Sequence, residues 1–327
     1  MLGRWPGLYQ WVCKRVFPKD ALAALGSAKY MSNPYLLKEY QEDIKGHNVI
    51  SAVHMPYIWK VKSDIELAGE TRFVEKIFSN SEQSRHVDLA AIVGNANLEN
   101  VAQLQTLINY HKKESDRFVG IRGMLAWSDD PGVCNFAHEK NITKNKNWLQ
   151  GFKLLEQNNL SFDVWGYHSQ LPEIISLAKS FPNTSIILDH MGTPIGALGA
   201  FAGYGRSQGD RDAIIKEWQE GMFELAKNKN VVVKISGLFM PMLGWDLHNR
   251  KSLPTLSEIV NKLQPLIDFT INTFGVERCM FGSHFAPDKV SISYRLLYDA
   301  YKEIVKNRSE EEQNMLFSGT AKKAYKI

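Results

Sequence analysis

Cysteine is scarce. Cys13, Cys134 and Cys279 are the three in 327 residues, with no C-x-x-C spacing. That excludes a disulfide framework and points to a reducing cytosol. Charge of one sign is nowhere concentrated. Lys and Arg number 39 against 35 Asp and Glu, a net +4 with no basic block, so nothing marks a nucleic-acid partner. No apolar run approaches the roughly 20 residues of a membrane span. Internal repeats, low-complexity tracts and interdomain linkers are absent as well. Acidic residues are missing from Met1 to Lys19, which holds Arg4, Lys14, Arg15 and Lys19. A cleavable presequence would also be serine-rich, and this stretch is not; its aromatic, turn-like Trp5–Trp11 portion argues further against one. Finally, the nine histidines are scattered, with no pair at i, i+2 or i, i+4.

What is present is a repeated form: an apolar stretch, then a histidine, arginine, lysine or serine, then a helical pattern. The clearest case is Ser185–Gly192, where Ile186, Ile187 and Leu188 run into Asp189-His190 and a glycine ends the run. A short continuous apolar run fits a strand buried on both faces, as in parallel α/β sheets. Such sheets carry their chemistry at the carboxyl ends of the strands. Strands are expected at 49–55, 86–93, 117–124, 160–167, 184–190, 230–235 and 278–283. Helices are expected at 35–45, 65–79, 98–112, 148–158, 171–180, 212–227, 256–273, 294–307 and 310–325. Polar or glycine-rich loops fill 129–146, 196–210 and 240–253. Each unit is long enough for a right-handed crossover. Seven strands are one short of an eight-stranded α/β barrel. Residues 1–34 read as an irregular lead and 35–327 as one barrel domain.

The motifs GETRFVEKI (69–77), FVGIRGMLAW (118–127), GFKLLEQNNLSFDVWGYHSQLPE (151–173), FPNTSIILDHMGTPIG (181–196), NVVVKISGL (230–238), RCMFGSHFAPDKVSISY (278–294) and LFSGTAKKAY (316–325) resemble, in order and spacing, the amidohydrolase-related family of TIM-barrel, metal-dependent hydrolases. The resemblance is to its lactonase-like subgroup and covers residues 35–327. It implies an α/β fold of (β/α)8 type and hydrolysis of a small carbonyl substrate, a sugar-derived or pyrone-type lactone, by activated water. The alternatives are a metal-dependent carboxy-lyase of the same superfamily and a catalytically dead barrel kept for binding. The expected partner is a small anionic molecule, without nucleic acid or membrane; self-association is left open and the location is expected to be cytoplasmic.

The chain departs from the family twice. The family's strand 1 carries an H-x-H metal-binding pair, which is absent here, and Met1 falls about where that strand would end. Either the sequence begins late or strand 1 is lost. Tyr9–Phe17 (YQWVCKRVF) has strand-like composition to fill the gap but brings no ligands. On the last strand the family usually has an aspartate, where this chain has His284, while Asp288 matches a later aspartate of a close subgroup.

The resemblance then implies His284 as base with Asp288 orienting it or sharing the role. Histidine suits a base at neutral pH, and the competing reading is a satisfied polar residue in a dead site. His190 matches a histidine that ligates metal or polarises the carbonyl; otherwise it caps Asp189. Tyr167 and His168 match a Tyr-His pair that donates to substrate, or they pack. Arg122 matches an arginine that holds a substrate carboxylate, a task suited to its planar fork; the other reading is an internal ion pair. His248 and Arg250 match a loop element that closes over the site, or they are solvated. His54 reads more readily as a core residue, and the face of Lys234 is undecided by alternation. One divalent metal, zinc or manganese, is implied, or none, since the family includes lactonases that work without it; His190 is its one remaining ligand.

Overall fold

The computed structural model describes residues 18–27, 34–57, 59, 61–80 and 87–327. The stretch 9–17 offered as a substitute strand lies outside them. Each apolar run becomes a strand: β1 (Ser51–His54), β2 (Asp88–Asn95), β3 (Phe118–Met124), β4 (Ser161–Trp165), β5 (Ile186–Leu188), β6 (Val231–Ile235) and β7 (Cys279–Phe281). They form one sheet in sequential order, every pair parallel.

Between and around the strands lie α1 (Lys19–Leu25), α2 (Leu37–Asp43), α3 (Ala68–Phe78), α4 (Val101–Glu114), α5 (Lys146–Gln157), α6 (Leu171–Ser180), α7 (Gln208–Ala226), α8 (Leu256–Phe274), α9 (Tyr294–Val305), α10 (Glu310–Asn314) and α11 (Thr320–Tyr325). No described helix is long and apolar enough to cross a membrane.

The sheet curls on itself. Met55, just past β1, brings its sulfur 3.5 Å from Lys234 Nζ of β6, and Ala91, Ile187 and Met280 from β2, β5 and β7 share one interior cluster. Among the described residues β7 and β1 do not pair. The architecture is therefore a curled parallel α/β sheet of barrel type, with seven strands among the described residues. The larger apolar cluster lies outside it, between sheet and helices.

Four differences from the sequence expectation have local causes. β5 stops at Leu188, because the chain turns left-handed at His190 and Met191 (φ +55° and +52°). α7 begins at Gln208, ahead of the expected 212, because Ser207 and Asp210 form a reciprocal cap. The single helix expected over 310–325 is interrupted by a wider π turn at Met315–Gly319. The expected irregular lead contains helix α1, which packs on the 241–243 turn.

Candidate active site

Register decides which side chains look inward. Arg122 is paired with Asp163, and Lys234 with Met280. In-register residues of adjacent strands share a face, and Met280 belongs to the interior cluster, so Lys234 faces the barrel axis. Its ammonium donates to Asp163 Oδ1 and Asp189 Oδ1, each at 2.7 Å. Arg122 Nε donates to the other oxygen of Asp189 at 2.7 Å. Tyr325, from the last helix, reaches in and donates to Asp163 Oδ1 at 2.6 Å. Two cations and two carboxylates thus form a buried layer beneath the strand ends. Burial alone would lower Lys234, but Asp163 and Asp189 hold it well above the usual lysine range. Burial likewise opposes ionisation of Asp189, yet Lys234 and Arg122 keep its carboxyl far below the usual range.

Above this layer the two strand-end histidines meet. The His190 and His284 rings lie with centroids 4.1 Å apart. His284 Nδ1 is 2.9 Å from Asp288 Oδ1. The second oxygen of Asp288 accepts the backbone N–H of Phe239 at 3.3 Å. Asp288 is fully buried; burial pushes its carboxyl up, and His284 and the Phe239 N–H pull it back. The side chains of His284 and Arg122 keep 16% and 11% of their surface open, enough to meet a ligand. His190 Nδ1 lies 2.8 Å from Ser236 Oγ, and its Nε2 lies 3.3 Å from Arg122 Nη2. Burial and the neighbouring His284, with Arg122 and Lys234, lower His190 well below the ordinary histidine range despite Asp189. Its Nε2 faces an arginine N–H, a contact in which the ring nitrogen accepts.

Both histidines stand at positive φ, +55° for His190 and +48° for His284. Non-glycine residues adopt this region at a cost, and it recurs at functional sites.

The structure brings together Arg122, His190, His284 and Asp288 of the expected residues. It places the others elsewhere. Tyr167 is buried with its hydroxyl donating to the Cys134 carbonyl at 2.6 Å, so its proton is already committed. His168 is buried, takes the Ile195 N–H at 3.3 Å, and is lowered chiefly by burial. His248 lines a separate cavity of about 320 Å³ with Ala23, Pro241 and Asp246. Arg250 pairs with Glu258 at the surface. His54 turns to the outer side and meets Glu70 of α3 at 3.3 Å. Missed from the sequence were Asp163, Ser236 and Tyr325. The signal for Asp163 was its place opposite Arg122 on the next strand. Ser236 lies two residues past inward-facing Lys234.

The fold and this mouth cluster define an α/β-barrel protein with a histidine–carboxylate pair at the carboxyl ends of its strands. The chain belongs to the amidohydrolase family, whose model matches residues 101–327. The L-fucono-1,5-lactonase of Burkholderia multivorans is 26% identical over 241 residues, 73% of this chain and 72% of that protein. The uncharacterized protein y4mH of Sinorhizobium fredii is 28% identical over 319 residues, 98% of this chain and 93% of its own. Among solved structures, an amidohydrolase from Burkholderia multivorans with bound zinc superposes with a TM-score of 0.70 at 20% identity, covering 94% of each chain.

The described residues at the mouth do not fit a divalent metal. His190 Nε2, the one donor the resemblance offers, faces an arginine N–H. Asp163 and Asp189 are neutralised by Lys234 and Arg122. A dication there would adjoin two fixed positive charges. Among the described residues, the one group of three ligand-type side chains whose donor atoms all lie within 4.8 Å of one another is Glu99, His138 and Glu139. It shares no residue with the mouth cluster, and the Asn145 amide N–H donates to both of its carboxylates.

Proposed function

We propose that the protein hydrolyses a lactone, with His284 as the base that activates water and Asp288 as the group that holds it. The observation that carries this reading is the His284–Asp288 pair at the end of β7. The carboxylate accepts Nδ1–H at 2.9 Å, which leaves the Nε2 lone pair to take a proton from water. A base held in one tautomer by a buried carboxylate is a recurrent hydrolytic arrangement. The oxygen of that water attacks the ring carbonyl carbon. As the tetrahedral intermediate collapses, the ring C–O bond breaks, and the proton on His284 passes to the departing alkoxide, giving a hydroxy acid. Tyr167 and His190 were expected to polarise the carbonyl. With Tyr167 committed to Cys134 and His190 Nε2 facing Arg122, the role falls to Arg122. Its Nε is spent on Asp189, and its remaining N–H donors can hold the oxygen on which negative charge develops. The similarity to L-fucono-1,5-lactonases supports a sugar lactone as substrate class.

The test is acid release from a panel of lactones, L-fucono-1,5-lactone included. The wild-type chain is expected to turn over at least one, and His284→Ala to abolish it. Full turnover in His284→Ala, or none in the wild type across the panel, would contradict the proposal.

A further inference from the structure

We infer that Ser236 and Gly237 form a seat that fixes His190 as its Nδ1–H tautomer, so that His190 acts as an acceptor holding Arg122 in place. Arginine has N–H donors and no acceptor. At 3.3 Å from Arg122 Nη2, His190 Nε2 must therefore accept. A neutral imidazole carries one N–H, which then sits on Nδ1 and is donated to Ser236 Oγ at 2.8 Å. Ser236 is 1% exposed, so water does not compete for this bond.

The rest of the pocket prevents the ring from turning over. Gly237 has φ +64°, and a Cβ there would lie 2.7 Å from His190 Cγ and 2.8 Å from Nδ1. The missing side chain is what lets the ring approach. Trp165 meets the ring edge-on at 5.8 Å, and His284 lies against it at 4.1 Å. Arg122 is thereby held at two points, Nε by Asp189 and Nη2 by His190. Ser236 touches no reacting atom in this scheme. It is a positioning residue that acts through His190 on the guanidinium.

Its catalytic consequence rests on the proposed hydrolysis, but its geometry does not, and the test is chosen accordingly. Side-chain 15N-labelled histidine in the full chain is read by long-range proton–nitrogen correlation at neutral pH, with His190 assigned by the signals lost in His190→Gln. The wild type is expected to show a protonated Nδ1 and a bare Nε2. Ser236→Ala is expected to shift both nitrogens toward tautomer exchange, and Ser236→Thr, which keeps the hydroxyl, to restore the wild-type pattern. A wild-type ring protonated on Nε2 would overturn the inference whether or not Ser236→Ala folds. So would a Ser236→Ala ring with wild-type shifts. Failure to hydrolyse any lactone would count against the proposed function and leave this spectrum, and the inference, standing.

Discussion

Lys234 sits 2.7 Å from each of two buried carboxylates, and its removal would leave Asp189 with Arg122 and Asp163 with the uncharged Tyr325 hydroxyl. Breaking a buried pair from one side costs about 3–5 kcal/mol, because the charge left behind has neither partner nor water. Lys234→Met is therefore expected to lower the unfolding free energy measured in urea by that amount, and Lys234→Met with Asp163→Asn to recover part of it. A single mutant with the wild-type midpoint would show that the layer is open to solvent. Gly237→Ala differs in kind. It places a methyl 2.7 Å from His190 at φ +64°, so strain and ring displacement act together. It is expected to impair turnover far more than the cost of a surface glycine substitution would suggest, checked by kcat alongside a thermal melt.

At the level of elements, the strand ends were readable and their partners were not. The run Ile186-Ile187-Leu188 announces a buried strand, and α6 has its expected limits, 171–180, because Pro172 sits at its first turn. The left-handed turn at His190 could not be read, since nothing in Asp-His-Met-Gly requires positive φ before the glycine. Short strands also hide their inward face. Lys234 was undecided until the register of β6 against β7 was known. The partner of the Tyr167 hydroxyl was hidden for a different reason: its acceptor, the Cys134 carbonyl, belongs to an irregular loop whose path no periodicity encodes. Start signals are local and therefore testable alone. Ser207 accepts the Asp210 N–H at 3.1 Å at the head of α7, so Ser207→Ala should cost about 1 kcal/mol in chemical unfolding and leave turnover unchanged. A loss of turnover would mean that α7 communicates with the mouth.

For the whole molecule, acid stability follows from buried histidines. His111 is fully buried, and burial lowers it to about 4 against help from the Asn95 carbonyl and Glu70. His168 and His190 are lowered in the same sense. A group depressed on folding binds its proton more readily in the unfolded chain. The stability it confers is thus complete above the unfolded histidine value and declines as pH falls toward the folded one. Each such histidine removes about 1.4 kcal/mol per pH unit within that window. The melting temperature should drop steadily from neutral pH toward pH 4, and more gently in His111→Gln; a flat profile would show that these rings are solvated. The central claim, that His284 and Asp288 work as one base, is most directly tested by a double-mutant cycle on kcat. Loss of a general base costs about 10²–10⁴-fold, and groups that act as a unit are not additive. The account predicts that His284→Gln with Asp288→Asn is no slower than His284→Gln alone; losses that multiply would mean that the two residues act separately.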